Sequence, residues 1–258
     1  MRDLLTPTAQ KLREPAPGAI WRAALVTAVG FGIYGLTVGY WRSPLMGAYV
    51  AVKMPLLIAL TLGCNGLLNG LLGLLLGSGL GFRQSLHALL SAFAISALIL
   101  GSVAPVTFFL AVNVPPPDSA QAATSHASYL LIHVFLIGVA GLVGVARLWK
   151  LLEVYSDSRQ IAALTLGSWI VGNAFLGGQF SWVLRPFFGS PGLEVAFLRD
   201  KPMQGSFYEA VWNSVKRVTS NVSFEAWMFS TAGVALTILI FLQIRNQKQD
   251  HERSQPEQ

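Results

Sequence analysis

Long apolar runs alternate with short polar connections along the whole chain. Six runs, at 20–40, 54–76, 86–112, 127–149, 161–182 and 226–244, contain no Asp or Glu. Each is close to the roughly 20 residues that cross about 30 Å of hydrocarbon as a helix. A helix also satisfies every backbone N–H and C=O within its own segment, which lipid requires. The runs lack the period-two alternation of strands. The pattern therefore predicts an all-α, polytopic membrane bundle of about six transmembrane helices. It has a polar N-terminal tail at 1–18, a membrane domain at 19–244 and a polar C-terminal tail at 245–258.

Composition agrees with that class: 53% of residues are hydrophobic and 12% charged, with a mean hydropathy of +0.55, outside the balance of a soluble domain. No small-x-small cleavage site follows the first run before Trp41, Arg42 and Pro44, so this run is expected to remain as an anchor. Orientation follows from the Lys and Arg residues. With the N-terminus inside, inner segments hold eleven: Arg2, Lys11, Arg13, Arg22, Arg83, Arg147, Lys150, Arg159, Arg245, Lys248 and Arg253. Outer segments hold seven: Arg42, Lys53, Arg185, Arg199, Lys201, Lys216 and Arg217. The bias places both termini in the cytoplasm. A net charge of +6 on residues that flank apolar runs suits anionic headgroups, and no nucleic-acid module is present.

The second run carries the most ordered pattern. Gly63, Gly66, Gly70, Gly73 and Gly77 are spaced 3, 4, 3, 4 and share one helical stripe. Such a stripe admits a second backbone, and close packing drives helix association in lipid. Asn65 and Asn69 lie beside it, either as interhelical hydrogen-bonding groups or as ligands for a polar solute. A looser small-residue series, Ala24, Ala28, Gly35 and Gly39, marks the first run as its packing partner. Asn173 and Gln179 lie among Gly172, Gly177 and Gly178 in the fifth run, another packing face.

Candidate chemistry is sparse. His126, Tyr129 and His133 share a face of the fourth run, but no carboxylate or thiolate accompanies them, so no metal is assigned. His87, beside Arg83, reads as interfacial. The single cysteine, Cys64, cannot form a disulfide within one chain. The glycines of 77–81 precede no phosphate-binding context, and neither a zincin, a nucleophile-elbow nor a P-loop signature occurs. No cofactor is expected. Asn221 and Ser223 fit a glycosylation sequon, relevant only to a lumenal site in a eukaryote.

The fifth connection, 183–225, concentrates the remaining signals. Trp182, Arg185, Pro186, Gly189, Ser190 and Pro191 define an aromatic, turn-rich segment. Arg185 is expected to pair with Glu194, Asp200 or Glu209. From Ser206 to Asn221, Phe207, Val211, Val215 and Val218 fall on one face, which predicts an interfacial amphipathic helix containing Tyr208 and Glu209.

The string Trp182-x-Leu184-Arg185-Pro186-Phe187-x-Gly189-Ser190-Pro191, with Gly205-x-Phe207-Tyr208-Glu209-Ala210-Val211, resembles a family of uncharacterised bacterial polytopic membrane proteins. The resemblance extends back through Phe82-Arg83-Gln84, Lys53-x-Pro55-Leu56-Leu57, Ser43-Pro44 and Tyr34-Gly35. It implies a bacterial inner membrane location. The segment from Leu76 to Gln84, a glycine-rich turn running into Phe-Arg-Gln, also resembles Yip-type multi-span domains, and only topology is implied by that likeness.

These readings lead to an integral membrane scaffold or accessory subunit. It has no catalytic role and packs with other integral membrane proteins as a hetero-complex or homo-oligomer within the bilayer. The alternative is a transporter or channel for a small neutral or anionic solute, with Asn65, Asn69, His133 and Asn173 along the path and Arg185 as an anion contact.

Overall fold

The computed structural model describes residues 18–213. They contain helices and no strand, and divide into two units, one ending at Gln204 and one beginning at Gly205. The first unit holds five helices: α1 (Ala19–Tyr40), α2 (Pro44–Leu75), α3 (Phe82–Asn113), α4 (Ala122–Tyr155) and α5 (Arg159–Val183). All five are long and apolar enough to cross a membrane. The sixth expected span, 226–244, lies outside the described residues, as do the tails.

Helix ends follow local chemistry. At α2 the Ser43 hydroxyl accepts the Met46 amide at 3.0 Å, and Pro44 occupies the first helical position, where a missing N–H costs nothing. Ser158 caps α5 in the same way, accepting from Ile161 at 3.2 Å. Positive φ at Gly77 (75°) and Gly79 (70°) turns the chain between α2 and α3.

The start of α2 corrects the sequence reading. The second span was expected to begin at Met54, which leaves Lys53 in a connection. The helix instead begins at Pro44, ten residues earlier, and carries Lys53 into the membrane-spanning stretch Pro44–Gly66. Lys53 and Pro55 resemble a terminus, but the Ser43–Pro44 cap starts the helix upstream of both. Pro55 leaves the Ala51 carbonyl without its intrahelical donor, and Gly32 of α1 faces this point: a Cβ there would come 3.3 Å from the Ala51 oxygen.

The tightest seams involve α1. A Cβ on Gly30 would overlap the Ala97 carbonyl of α3, and one on Gly35 or Gly39 would lie 2.6 Å from the Val50 or Met46 oxygen of α2. The α2 stripe is filled differently along its length. Gly66 and Gly70 receive Phe82 at the start of α3, nothing lies within 4 Å of a Cβ built on Gly63, and Gly77 lies past the helix end. A Cβ at Gly70 would sit 2.7 Å from the Phe82 Cα. Gly70→Leu is therefore expected to displace the start of α3 and cost about 1–3 kcal/mol by overpacking, read as a lower melting temperature of the purified protein. Gly63→Ala should leave it unchanged.

Below the seams, Leu62, Leu80, Leu89, Leu148, Leu152 and Trp169 form an apolar core. A second core gathers Phe31, Tyr34, Val38, Met46, Val50 and Leu100 toward the end where α1 passes into α2, here called the upper end.

In the second unit a helix begins at Phe207 and is described as far as Asn213. Ser206 caps it, accepting the Glu209 amide at 3.1 Å, and the Phe207 and Tyr208 rings meet edge to face at 5.5 Å. The rest of the expected amphipathic helix lies outside the described residues.

Candidate functional site

Three chain segments converge at the upper end: the α1–α2 connection, the α3–α4 connection and residues 184–204 after α5. Trp41 joins the first two by donating its indole N–H to the Pro115 carbonyl at 3.0 Å. Arg42 joins the first and third, with Nε donating to the Ser190 carbonyl at 3.3 Å and Nη2 to that of Leu193 at 2.8 Å. Gly189 makes this approach possible. Its φ is 69°, and a Cβ there would lie 2.7 Å from the Arg42 Cγ.

Beneath this cover is a buried polar cluster. The Tyr34 hydroxyl and His133 Nδ1 lie 2.7 Å apart, and both residues are fully buried. Tyr129 donates to the Thr37 carbonyl at 2.5 Å, and the Thr37 and Thr107 hydroxyls share a hydrogen bond at 2.8 Å. The Tyr129 and His133 rings are 4.4 Å apart, Trp41 stacks on Tyr129 at 5.9 Å and His126 lies 5.6 Å from Trp41. Among the described residues no group of three His, Cys, Asp or Glu side chains comes together in a metal-holding arrangement.

Lys53 belongs to the same end. Its side chain is fully buried, and Nζ donates to the Pro186 carbonyl at 2.8 Å. The ammonium lies 5.0 Å from the Phe197 ring centre and 5.9 Å from that of Phe187, both within cation–π range. No carboxylate pairs with it among the described residues; Arg159 and Glu153 form an exposed ion pair at 3.4 Å elsewhere. Sequence reasoning placed Lys53 in a connection; the Ser43–Pro44 cap is the signal that would have moved it into the helix.

Arg185 also differs from its expected role. Its guanidinium donates to the Trp182 carbonyl at 2.7 Å and to the Gln204 carbonyl at 3.5 Å, and lies 3.7 Å from the Trp182 ring centre. Glu194 and Asp200 are not its partners. Trp182 also donates its indole N–H to the Gln204 carbonyl at 3.0 Å. Arg185 and Trp182 thus close residues 184–204 into a loop. Burial, then the charge of Arg199, pull the Arg185 guanidinium below its ordinary pKa, yet an arginine stays protonated in proteins. Arg185→Ala is expected to free the Gln204 end of the loop and speed tryptic cleavage after Arg199. Arg42→Ala should do the same from the Ser190 end. Unchanged cleavage in both variants would show that neither guanidinium holds the loop.

Asn65 and Asn69 face α5. Trp169 donates its indole N–H to the Asn69 backbone carbonyl at 3.0 Å, and a Cβ on Gly172 would lie 2.9 Å from Asn65 Nδ2. The Asn69 side chain is fully buried with neither its nitrogen nor its oxygen hydrogen-bonded, and the buried Asn65 Nδ2 and Thr165 hydroxyl also lack partners. Asn173 sits one turn from Trp169 and donates to its carbonyl at 2.7 Å. These residues are brought together by α2 and α5, whereas His133 belongs to the cluster between α1 and α4.

Five long apolar helices around buried polar clusters define a multi-pass helical membrane protein. Comparison with known proteins adds no relative to that class: no family model, no curated protein and no solved structure matches the chain.

Proposed function

We propose that this chain is an integral membrane scaffold or accessory subunit of the bacterial cytoplasmic membrane, both termini inside, that packs against other membrane proteins and performs no chemistry itself. One observation supports the reading above the rest. On α4, nothing lies within 4 Å of a Cβ built on Gly138 or Gly141, and exposed Phe135 and Leu142 flank them. Lipid tails are as apolar as leucine, so a second helix gains most where it approaches backbone closely. The interior seams on α1 are already filled by α2 and α3, which leaves the α4 face for another chain.

Affinity purification of the full-length protein from native membranes at its natural level tests this. A stoichiometric membrane-protein partner is expected, lost in the Gly138→Leu/Gly141→Leu double variant. Solitary purification would count against the scaffold.

The unpartnered Asn69 amide favours a second reading, a transporter or channel for a small neutral or anionic solute, because intramembrane polar groups commonly mark a solute path. Solute uptake by proteoliposomes containing the purified protein alone, reduced by Asn69→Leu, would establish it.

A further inference from the structure

The geometry points to a phosphate-binding site at the upper end of the bundle, formed by the Lys53 ammonium and His133 Nε2 beneath a displaceable plug of Pro186, Phe187 and Phe188. A buried cation is costly unless it is paired and hydrogen-bonded. Lys53 has one neutral carbonyl as acceptor and two aromatic rings beside it. Its remaining N–H groups therefore suit an anion better than they suit their present surroundings.

His133 supplies the second donor. The phenol of Tyr34 is satisfied when it donates to Nδ1, and the neutral imidazole then carries its proton on Nε2. That nitrogen is fully buried and has no partner.

The plug links the two groups. Phe187 lies against Lys53, and Phe188, the next residue, lies 5.8 Å from the His133 ring. Displacing this short piece of backbone uncovers both donors. The plug is held from the helices by Lys53 on the Pro186 carbonyl and Arg42 on the Ser190 and Leu193 carbonyls. All three acceptors are neutral, and charge-assisted hydrogen bonds to a phosphate are roughly twice as strong. A phosphate oxygen can replace the Pro186 carbonyl on Lys53, another can accept a hydrogen bond from His133 Nε2–H, and Arg42 at the rim can contact a third. Lys53 lies nine residues into α2, about 13 Å along the helix from its start. A lipid headgroup phosphate and free inorganic phosphate share the chemistry this site recognises.

The test follows tryptic cleavage of the full-length protein after Arg199 in nanodiscs. One arm adds inorganic phosphate to phosphatidylcholine discs, with chloride at equal ionic strength as control. The other replaces part of the lipid by phosphatidylglycerol without free phosphate. Faster cleavage is expected in at least one arm, and the responding arm identifies the source of the phosphate. Lys53→Met should abolish the response. His133→Asn, which keeps an acceptor near the Nδ1 position for Tyr34 but removes Nε2, should raise the half-saturating concentration about tenfold, the loss of one hydrogen bond to a charged group. No response in either arm, or an equal response in Lys53→Met, overturns the proposal. Should Lys53→Met fail to fold, a His133→Asn protein with wild-type half-saturation overturns it.

Discussion

Gly30→Val is expected to prevent recovery of the folded protein, or to lower its melting temperature more than any other single change on the α1 seams. At this position a Cβ would overlap the Ala97 carbonyl and lie 2.8 Å from its carbonyl carbon. The obstacle is backbone, which cannot rotate aside as a side chain can. A Cβ on Gly101, across the same seam, would already lie 3.4 Å from the Gly30 Cα, so α1 cannot slide into free space. The two helices must part, and the contacts of Phe31, Val38 and Leu100 loosen with them. Overpacking usually costs about 1–3 kcal/mol, and a rigid obstacle puts this case at the upper end, about 3 kcal/mol. Thermal unfolding and size-exclusion profile in mild detergent provide the measurement. Gly138→Val, made where a Cβ meets nothing within 4 Å, is the control and should match the wild type. Equal stability of all three proteins would show that the α1–α3 seam does not hold the bundle together.

Trp169→Ala is expected to cost at least as much, about 3–5 kcal/mol, the usual cost of emptying a buried aromatic site. Trp169 is fully buried and packs in the lower core. Its indole also ties α5 to α2 through the Asn69 carbonyl. Truncation thus opens a cavity and removes the hydrogen bond between the two helices. Trp169→Phe separates these effects: most of the volume remains and the indole N–H goes, so the loss should fall to about 1 kcal/mol, the net value of one hydrogen bond. If the Ala and Phe variants unfold at the same temperature, packing contributes little and the hydrogen bond dominates. If both match the wild type, α5 is held by other contacts.

The helical architecture was legible because it is a local property. A long apolar run must form its own hydrogen bonds wherever it meets lipid, whatever its neighbours are. The Ser43–Pro44 cap was equally local, and reading it as a helix start would have placed Lys53 inside α2. The glycines were harder to interpret. The regular 3, 4 spacing on α2 drew attention to Gly63 through Gly77, yet the closest backbone approaches fall on Gly30, Gly35 and Gly39 of α1, whose spacing is less regular. Spacing reports which residues share a face, not what that face meets. In soluble helices a polar side marks the outward face, but a span that is apolar all round gives no such sign. Arg185 was expected to seek a carboxylate because unlike charges attract; the fold instead placed two carbonyls and an indole within its reach.

Sequence alone was enough to show that the apolar runs within residues 18–213 are helical, that their helices suit a bilayer and, except at the start of α2, roughly where they begin and end, since hydrogen bonding and hydrophobic length act within each segment. Only the tertiary structure decided that α1 carries the tight seams, that Lys53 is buried under Pro186, 133 residues further along the chain, and that Tyr34 meets His133. Those pairings join residues distant in sequence, and they depend on how helices of similar apolar surface fit together.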